Sequence, residues 1–420
     1  MTEDLEVVRP GDAAYATLRH VYTATGSPAQ VFVPRDPGQV VRAVDAALSL
    51  PGPMSIRSGG HGTSSVATNE GGSVVDLRRL DAVEHLGGTR VRIGAGARWG
   101  AVAMALDRWG LAITSGDSGD VGVGGLALGG GIGLLGRAQG LTIDRVRAVE
   151  VVTLDGRVLR ASSDEHPDLF WALRGAGSSV AMATSFELEA GTTPRVVRAS
   201  LAYSLDRPAE LLAAWGAAME AAPREVSAFL YVMGGPGGIA QATIVHAGDD
   251  ETAAQRALEP FVTLGPVVHA EAAVVPYASV PLTTGAVHSG QQGATVRAAI
   301  VRRLDDQVAR AAASVLQDPA VAMLQIRSLG GAINDVAPDA TAFAHRHQSF
   351  SVTAVAPHDS SALDRAWAPL RALRDGLYLG LSTRPSPEDV DAAFPPRTRA
   401  RLRRIARTWD PDHLLGSLVV

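Results

Sequence analysis

The sequence predicts an α+β protein built from two units and a tail, and three observations lead to this prediction. Residues 30–190 alternate short apolar strands with short helices and carry two glycine-rich stretches. From about residue 195 to 375, long Ala-rich helices alternate with strand-like runs, which favours an antiparallel sheet with helices on one side. Residues 376–420 form a tail with an Arg-rich helix.

The composition is that of an ordinary globular protein. Of the 420 residues, 46% are hydrophobic and 19% are charged, and the formal net charge is −5. This acidic balance argues against nucleic acid or a membrane as a partner. Neither Cys nor Lys occurs, which excludes disulfides, cysteine nucleophiles and Schiff-base lysines. The polar N-terminus lacks a signal sequence, so we expect a cytoplasmic protein, and the Ala, Gly and Arg bias is typical of a GC-rich bacterial genome.

Hydrophobic periodicity and turn residues set the expected elements of the first unit. A hairpin is expected because Asp155-Gly156 is a favoured two-residue turn between two apolar runs. The expected strands are 30–33, 54–56, 73–76, 89–93, 148–154 and 157–161, and the expected helices are 38–50, 98–109 and 167–173.

The second unit and the tail are expected to be richer in helix. The expected helices are 208–221, 251–261, 298–316 and 397–409, and the expected strands are 228–232, 239–245 and 349–354. The last helix should stop at Asp410, because Pro411 disfavours helical backbone in the residue before it.

Two glycine-rich stretches carry the chemical signal. The first reads Arg57-Ser-Gly-Gly-His61-Gly62, and the second runs from Thr114 to Gly133. Such glycine density permits close backbone approach to a ligand, and successive N–H groups can cradle a diphosphate. The plainer alternative is that these glycines only make tight turns. Residues 121–135 hold seven glycines in 15 residues and are interpreted as a loop system, not a membrane span.

One motif in the second stretch matches a dinucleotide-binding pattern but lacks the strand that should precede it. Gly131-Ile-Gly133-Leu-Leu-Gly136 fits the dinucleotide pattern G-x-G-x-x-G, with Asp155 at the distance of a ribose-binding acid. That motif should follow a strand directly, and the glycine run before Gly131 is a poor strand. We therefore disfavour a nicotinamide site.

Four ordered stretches resemble the FAD-binding half of the berberine bridge enzyme-like oxidases, in the vanillyl-alcohol-oxidase superfamily. They are residues 57–61, 121–133, 140–156 and 168–175, and the resemblance continues at 341–346 and 409–411. It implies a PCMH-type FAD-binding domain at 1–193, a substrate-binding domain of antiparallel sheet covered by helices at 194–375, and a segment at 376–420 that returns to the FAD domain.

The resemblance also implies the cofactor contacts. His61 matches the histidine that bonds covalently to the flavin; the alternative is a histidine that only hydrogen-bonds phosphate. Ser118 stands where many relatives have a second, cysteinyl link, which this chain cannot make. Val121 matches a position that leaves oxygen access in oxidases. The expected FAD-binding residues are Arg57, Ser58, Gly59, Gly60, His61, Gly62, Ser118, Val121, Gly122, Gly125, Gly129, Gly130, Gly131, Gly133 and Val180.

The substrate side departs from the family pattern. Where relatives have a strand Glu or Gln above the flavin, the matching position is about Thr353, which is no base at neutral pH. In the tail, Tyr378 is kept, while Gly380 and Leu381 replace a polar pair. The expected catalytic residues are Tyr378, His345 and Thr353.

Other bases are open as alternatives. His288 and His347 are further candidates, and His345 and His347 would share a face on a strand. A metal pair is disfavoured because no third ligand is evident. Arg346 could supply the charge that a tyrosine base needs.

Three functions follow as hypotheses. The first is an FAD-dependent oxidase that transfers a hydride from a C–OH or C–N centre of a small or medium apolar metabolite, with O2 as the second substrate and H2O2 as product. The second is a non-redox cyclase of natural-product biosynthesis that uses flavin structurally. The third is a ligand-binding protein without flavin. The sequence leaves the oligomeric state and the substrate open.

Overall fold

Three β-sheets organise the computed structural model of the protein, which describes residues 4–64, 66–285, 293–357 and 361–415. Two of these sheets lie within the first 190 residues, and the third lies between residues 195 and 357. The boundaries expected at 193/194 and 375/376 stay a prediction. In the described ranges, no helix is both long and apolar enough to cross a bilayer.

The first sheet has four strands in the order β1-β2-β4-β3. Strand β4 pairs in parallel with both β2 and β3, whereas β1 is antiparallel to β2. Its strands are β1 (Glu6–Val8), β2 (Gln30–Val33), β3 (Met54–Arg57) and β4 (Ser73–Asp76). The parallel pairing brings the end of β3, where the first glycine stretch begins, to the edge that faces the second stretch.

The second sheet is antiparallel, with five strands in the order β5-β6-β9-β7-β8. The hairpin expected around Asp155-Gly156 is confirmed as the β7–β8 pair. The strands are β5 (Val83–Gly87), β6 (Arg90–Gly94), β7 (Val146–Val152), β8 (Val158–Ser162) and β9 (Met182–Glu189).

The third sheet is antiparallel, with seven strands in the order β13-β10-β12-β11-β15-β16-β14. The expectation of an antiparallel sheet in this part of the chain is confirmed. Its strands are β10 (Arg195–Ser204), β11 (Val226–Met233), β12 (Ile239–Ala247), β13 (Val267–Pro276), β14 (Ala294–Val301), β15 (Met323–Ser328) and β16 (Phe350–Pro357).

Helices connect and cover these sheets. Within the first 190 residues they are α1 (Tyr15–Leu18), α2 (Pro37–Leu48), α3 (Trp99–Asp107), α4 (Val123–Gly129), α5 (Gly136–Gln139), α6 (Thr142–Arg145) and α7 (Pro167–Leu173). The later helices are α8 (Pro208–Ala221), α9 (Glu251–Leu258), α10 (Asp306–Val315), α11 (Ser361–Ala372), α12 (Pro387–Ala393) and α13 (Pro396–Trp409).

The two faces of the third sheet have different roles. Alternate residues of a strand point to opposite faces. Leu324 and Ile326 of β15 join an apolar core with Trp215 of α8 and Trp367 of α11, so this face is covered by helices. The opposite face carries polar side chains in the central strands and is turned toward the glycine-rich loops.

The expected helix at 298–316 was wrong in its first part. Residues up to Val301 belong to β14, where Ala298 pairs with Thr353 of β16. The helix begins only after Asp305, whose side chain accepts the backbone N–H groups of Gln307 and Val308 at 3.0 Å. An Asp at this N-cap position satisfies two otherwise unpaired donors and fixes the start of α10.

The glycine-rich segment at 121–135 is also more ordered than the expected loop system. It contains the short helix α4, in which Val123, Ala127 and Leu128 are buried in the core of the first part of the chain. Their packing stabilises helical backbone against the entropic cost of the intervening glycines.

Arg137 joins the first part of the chain to the third sheet. Its buried guanidinium donates to the carbonyl oxygens of Ala222, Val226 and Leu329 at 2.8–2.9 Å. Burial lowers the pKa of this guanidinium. Because a buried cation needs full hydrogen bonding, these three bonds hold α5 firmly against β11 and β15.

Candidate functional site

The two glycine-rich stretches meet backbone to backbone. A Cβ atom built at Gly59 would lie 2.7 Å from Gly122 Cα, and one built at Gly122 would lie 2.7 Å from Gly59 Cα. Real Cβ atoms do not come this close to backbone, so neither position has room for a side chain. The absence of side chains at both glycines lets the loops touch.

Ser58 ties the two stretches together by hydrogen bonds. Its hydroxyl donates to the carbonyl oxygen of Ala95 at 2.6 Å and accepts the N–H of Gly124 at 3.2 Å. The same strand end receives the second stretch, since Val123 N–H donates to Ala97 O at 2.8 Å. Strand β6 and its following turn therefore hold both loops in one place.

Arg57 anchors the end of β3. Its guanidinium is buried, and its Nε–H donates to Asp76 Oδ2 at 2.8 Å. Burial lowers the pKa of Arg57, and the neighbouring Asp76 opposes this shift. Its Nη2 is buried with no hydrogen-bond partner among the described residues. The Arg57 side chain thus anchors the start of the first glycine-rich loop, and its Nη2 group remains available as a hydrogen-bond donor.

His61 lies at the half-buried tip of the first loop. Its ring stacks on the Tyr22 ring with centroids 4.4 Å apart and planes 20° apart. Gly60, just before it, has φ +67°, a conformation that favours glycine, and its carbonyl accepts Tyr22 N–H at 2.8 Å. Tyr22 therefore holds both the backbone and the ring of this tip.

The second stretch contacts the start of α3 and becomes exposed at Gly125. Val121 O accepts Trp99 N–H at 3.0 Å, and Ser118 Oγ accepts Asp120 N–H at 3.4 Å. Gly125 is exposed, and a Cβ there would meet nothing within 4 Å; the same holds for Gly62 in the first loop. Open space therefore lies beside both loops.

The later glycines of this stretch contact the tail. Gly131 N–H donates to the Tyr378 hydroxyl oxygen at 3.3 Å, and a Cβ at Gly129 would lie 3.2 Å from the same oxygen. Gly133 instead abuts the backbone of Ser115. The run from Gly131 follows helix α4 and no strand, so the dinucleotide motif does lack its structural context.

Val180 lies deeper than the other expected cofactor contacts. It follows a 3-10 turn and is buried in the core of the first part of the chain. Its side chain is therefore packed among the core residues of this part of the chain.

A polar network occupies the face of the third sheet that is turned toward the second stretch. Tyr231 Oη donates to Asp117 Oδ2, and Gln325 Nε2 donates to the same oxygen at 3.0 Å. Arg327 donates through Nη2 to Gln325 Oε1 and through Nη1 to Thr353 Oγ1, the latter at 3.1 Å. Sequence reasoning missed four of these five residues, because only strand pairing brings β11, β15 and β16 side by side.

The three expected catalytic residues occupy different environments. Tyr378 packs its ring against Phe343 and the glycines of the second stretch, and burial raises the pKa of its hydroxyl. Thr353 is buried and engaged by Arg327. His345 is buried under the tail, with Nε2 donating to Ala393 O at 3.1 Å, an environment typical of a structural histidine.

The expectation that His345 and His347 share a strand face was wrong. Both lie in the irregular segment before β16, and His347 is exposed whereas His345 is buried. Arg346 does not serve Tyr378, because its buried guanidinium makes two 2.8 Å bonds to the carboxylate of Asp144. His288 lies outside the described residues, within which no group of three metal-ligating side chains occurs.

Comparison with known proteins identifies what the loops resemble. Residues 28–162 match the FAD-binding domain family. The (R)-6-hydroxynicotine oxidase of Paenarthrobacter nicotinovorans is 35% identical over 193 residues, which are 45% of this chain and 42% of that protein. The glucooligosaccharide oxidase of Sarocladium strictum is 34% identical over 173 residues, which are 40% and 35% of the two chains. These alignments span less than half of either relative.

Solved structures match over almost the whole chain. The 6-hydroxy-D-nicotine oxidase of Arthrobacter nicotinovorans superposes with a TM-score of 0.86 at 25% identity, covering 98% of this chain and 96% of that one. Physcomitrella patens BBE-like 1 superposes with a TM-score of 0.87 at 23% identity, covering 98% and 95%. The overall fold described above is thus shared with these two proteins.

Proposed function

We propose, on the premise that residues 28–162 are an FAD-binding domain within the fold of the berberine bridge enzyme-like oxidases, that this protein is an FAD-dependent oxidase. The observation that carries the proposal is the backbone contact between Gly59 and Gly122, with the half-buried His61 two residues after Gly59. Two backbones joined in this way present amide groups and no side chains, as a diphosphate-bearing cofactor requires.

The residues of both loops fit FAD. Backbone from Ser58 to Gly62 and from Ser118 to Gly125 would hold it, and the His61 imidazole would tether it. The open positions Gly62 and Gly125 and the unpaired buried Nη2 of Arg57 support this fit. When bound, FAD supplies a two-electron acceptor for hydride, and a covalent imidazole bond withdraws electron density from it. The absence of Cys allows at most one such bond.

The substrate would bind at the accessible side of the contact between the second stretch and the polar face of the third sheet. Arg327 and Thr353 form a buried floor, while Tyr231, Asp117 and Tyr378 are half-buried and reachable from the loops. The relatives' names, hydroxynicotine oxidase and glucooligosaccharide oxidase, support a C–N or C–OH centre as the site of oxidation.

Dioxygen is the proposed electron acceptor, with H2O2 as the product. Val121 has a small apolar side chain, is half-buried next to Gly122, and stands at the position that the family resemblance associates with oxygen access. A bulky residue at this place would obstruct access, and Val121→Trp is expected to slow reoxidation by O2 more than reduction by substrate. Rapid-mixing absorbance of the two half-reactions measures both rates.

The activity is tested by oxygen uptake of the purified holoenzyme with 6-hydroxynicotine as an amine probe and cellobiose as an alcohol probe. The proposal predicts O2 uptake matched by H2O2 formation, and flavin bleaching by the same probe without O2. A colourless protein would contradict it. Product formation without O2 uptake or bleaching would favour the cyclase hypothesis instead.

A further inference from the structure

We propose that Asp117 and Tyr231 form the proton-accepting pair of the oxidation, with Tyr231 receiving the substrate proton and Asp117 storing it. This inference rests on the proposed oxidase function. It fills the role for which the strand position at Thr353 offers no base. The pair links two separate parts of the chain, the second glycine-rich stretch and strand β11.

The pair forms the accessible part of the polar network. Asp117 precedes Ser118 in the second stretch, and Tyr231 lies on the face of β11 opposite the helices. Their side chains are half-buried, whereas Gln325, Arg327 and Thr353 behind them are buried. Of the five residues in the network, Asp117 and Tyr231 are thus the two that a bound molecule can reach.

The buried residues hold the Asp117 carboxylate in a fixed orientation. Gln325 presents its NH2 to Asp117 and its carbonyl oxygen to Arg327, so its amide orientation is fixed by both neighbours. The Gln325 amide lies between the Arg327 guanidinium and the Asp117 carboxylate. Both Tyr231 and Gln325 donate to Asp117 Oδ2. These contacts fix the position of the carboxylate beside the Tyr231 hydroxyl.

Tyr231 acts as a relay. Burial raises the pKa of its hydroxyl, and the nearby Asp117 raises it further. The hydroxyl is therefore protonated at neutral pH and hands its own proton to Asp117 as it takes one from the substrate. A proton acceptor within hydrogen-bond distance of the reacting group accelerates a reaction about 10²–10⁴-fold.

The step balances as follows. The substrate O–H or N–H bond breaks, and its proton goes to Tyr231 Oη while the Tyr231 proton goes to Asp117 Oδ2. The adjacent C–H bond breaks, and its hydrogen would leave with the electron pair as hydride; FAD, held by the backbone of the two glycine-rich loops, would supply the two-electron acceptor. The substrate would thereby be oxidised to C=O or C=N, and Asp117 would end as a neutral acid.

Activity measurements separate the pair from its neighbours. Asp117→Asn keeps size and an acceptor for Tyr231 but cannot store a proton, so flavin reduction by the probe amine or alcohol should slow by about 10²-fold or more. Tyr231→Phe should act similarly. Tyr203→Phe is the matched control, because Tyr203 lies on the helix-covered face and donates to Phe261 O. It should lower Tm and leave flavin reduction unchanged.

Two outcomes would overturn the inference. One is flavin reduction within about threefold of wild type in both Asp117→Asn and Tyr231→Phe. The other is a protonated-carboxyl infrared band in the holoenzyme at neutral pH that Asp117→Asn removes, since a resting base must be ionised. The infrared measurement needs no substrate. If wild type oxidises neither probe, that result counts against the proposed activity, and the infrared band still decides whether Asp117 can be the base.

Discussion

Gly59 and Gly122 touch through their backbones, and this contact fixes the relation between the two glycine-rich loops. It depends on hydrogen at both Cα positions and on the Ser58 hydroxyl, which bonds to Ala95 and Gly124 on either side. The proposed FAD site is the open space beside this contact, so the first predictions concern it.

Adding one methyl group at the contact should separate the loops. Gly59→Ala or Gly122→Ala places Cβ 2.7 Å from the opposite Cα, and we expect a cost of about 1–3 kcal/mol in the free energy of unfolding and loss of bound flavin. Gly62→Ala is the control for stability, because its Cβ would meet nothing within 4 Å. Thermal unfolding and the flavin-to-protein absorbance ratio measure both effects. Full flavin content in Gly122→Ala would count against the site.

Gly125→Ala should affect the cofactor and not the fold. The position is exposed in α4 with open space around it, and Ala is the better helix former. We expect an unchanged or higher Tm and weaker FAD binding, because the added methyl would intrude on the space assigned to FAD. Titration of the apoprotein with FAD in a His61→Ala background, where binding stays reversible, measures the affinity. Gly265→Ala in the same background is the control, because its Cβ would make only an ordinary contact with Leu211. Unchanged affinity would move FAD away from α4.

His61→Ala should leave FAD bound but no longer attached. The stacking partner Tyr22 and both loops remain, so binding persists, while the flavin potential should fall because the electron-withdrawing bond is lost. On a denaturing gel, flavin fluorescence should stay with wild type and with the exposed-site control His85→Ala, and leave His61→Ala. Fluorescence retained in His61→Ala would assign the tether to another residue.

The buried pair Asp144–Arg346 should be essential for stability. Both its bonds are 2.8 Å and the guanidinium is fully buried, so Arg346→Met leaves an uncompensated carboxylate and should cost about 3–5 kcal/mol. The exposed pair Arg224–Asp335 provides the control: Arg224→Met should change stability by about 1 kcal/mol or less. Equal losses in the two variants, measured by urea unfolding, would contradict this ranking.

His345 should make the fold sensitive to acid. Burial lowers its pKa below the ordinary 6.5, so the folded protein binds fewer protons than the unfolded chain just below that pH. Its contribution is full above about pH 6.5 and declines as the pH falls toward the folded pKa. Tm should therefore drop less between about pH 7.5 and 5.5 in His345→Asn than in wild type. The exposed His347→Asn should keep the wild-type slope, and an unchanged slope in both would refute the assignment.

Local sequence signals predicted the parts of the fold that local chemistry determines. The Asp155-Gly156 turn predicted the β7–β8 hairpin. The helix expected from residue 38 begins at Pro37, where Asp36 Oδ1 accepts Gln39 N–H at 2.8 Å. Glycine density located both loops. The strand at Ala298 was missed because an Ala-rich run favours helix locally. In the fold, pairing with the distant strand β16 makes this segment a strand instead.

The candidate site depended on long-range pairing that no local pattern carries. Tyr231, Gln325 and Thr353 share a face only because β11, β15 and β16 are neighbours in the third sheet. Asp117 reaches them from the second stretch, whose path is set by its contacts with α3. His345 was a candidate base because burial cannot be read from the sequence. In the structure its ring is buried and bonds to the carbonyl oxygen of Ala393.

The intact mass of the denatured wild-type protein tests the central claim most directly. The account predicts a mass greater than that of the polypeptide by one FAD, with the addition confined to the peptide that contains His61. A polypeptide of unmodified mass from a protein that is colourless before denaturation would contradict a flavin site at the Gly59–Gly122 contact.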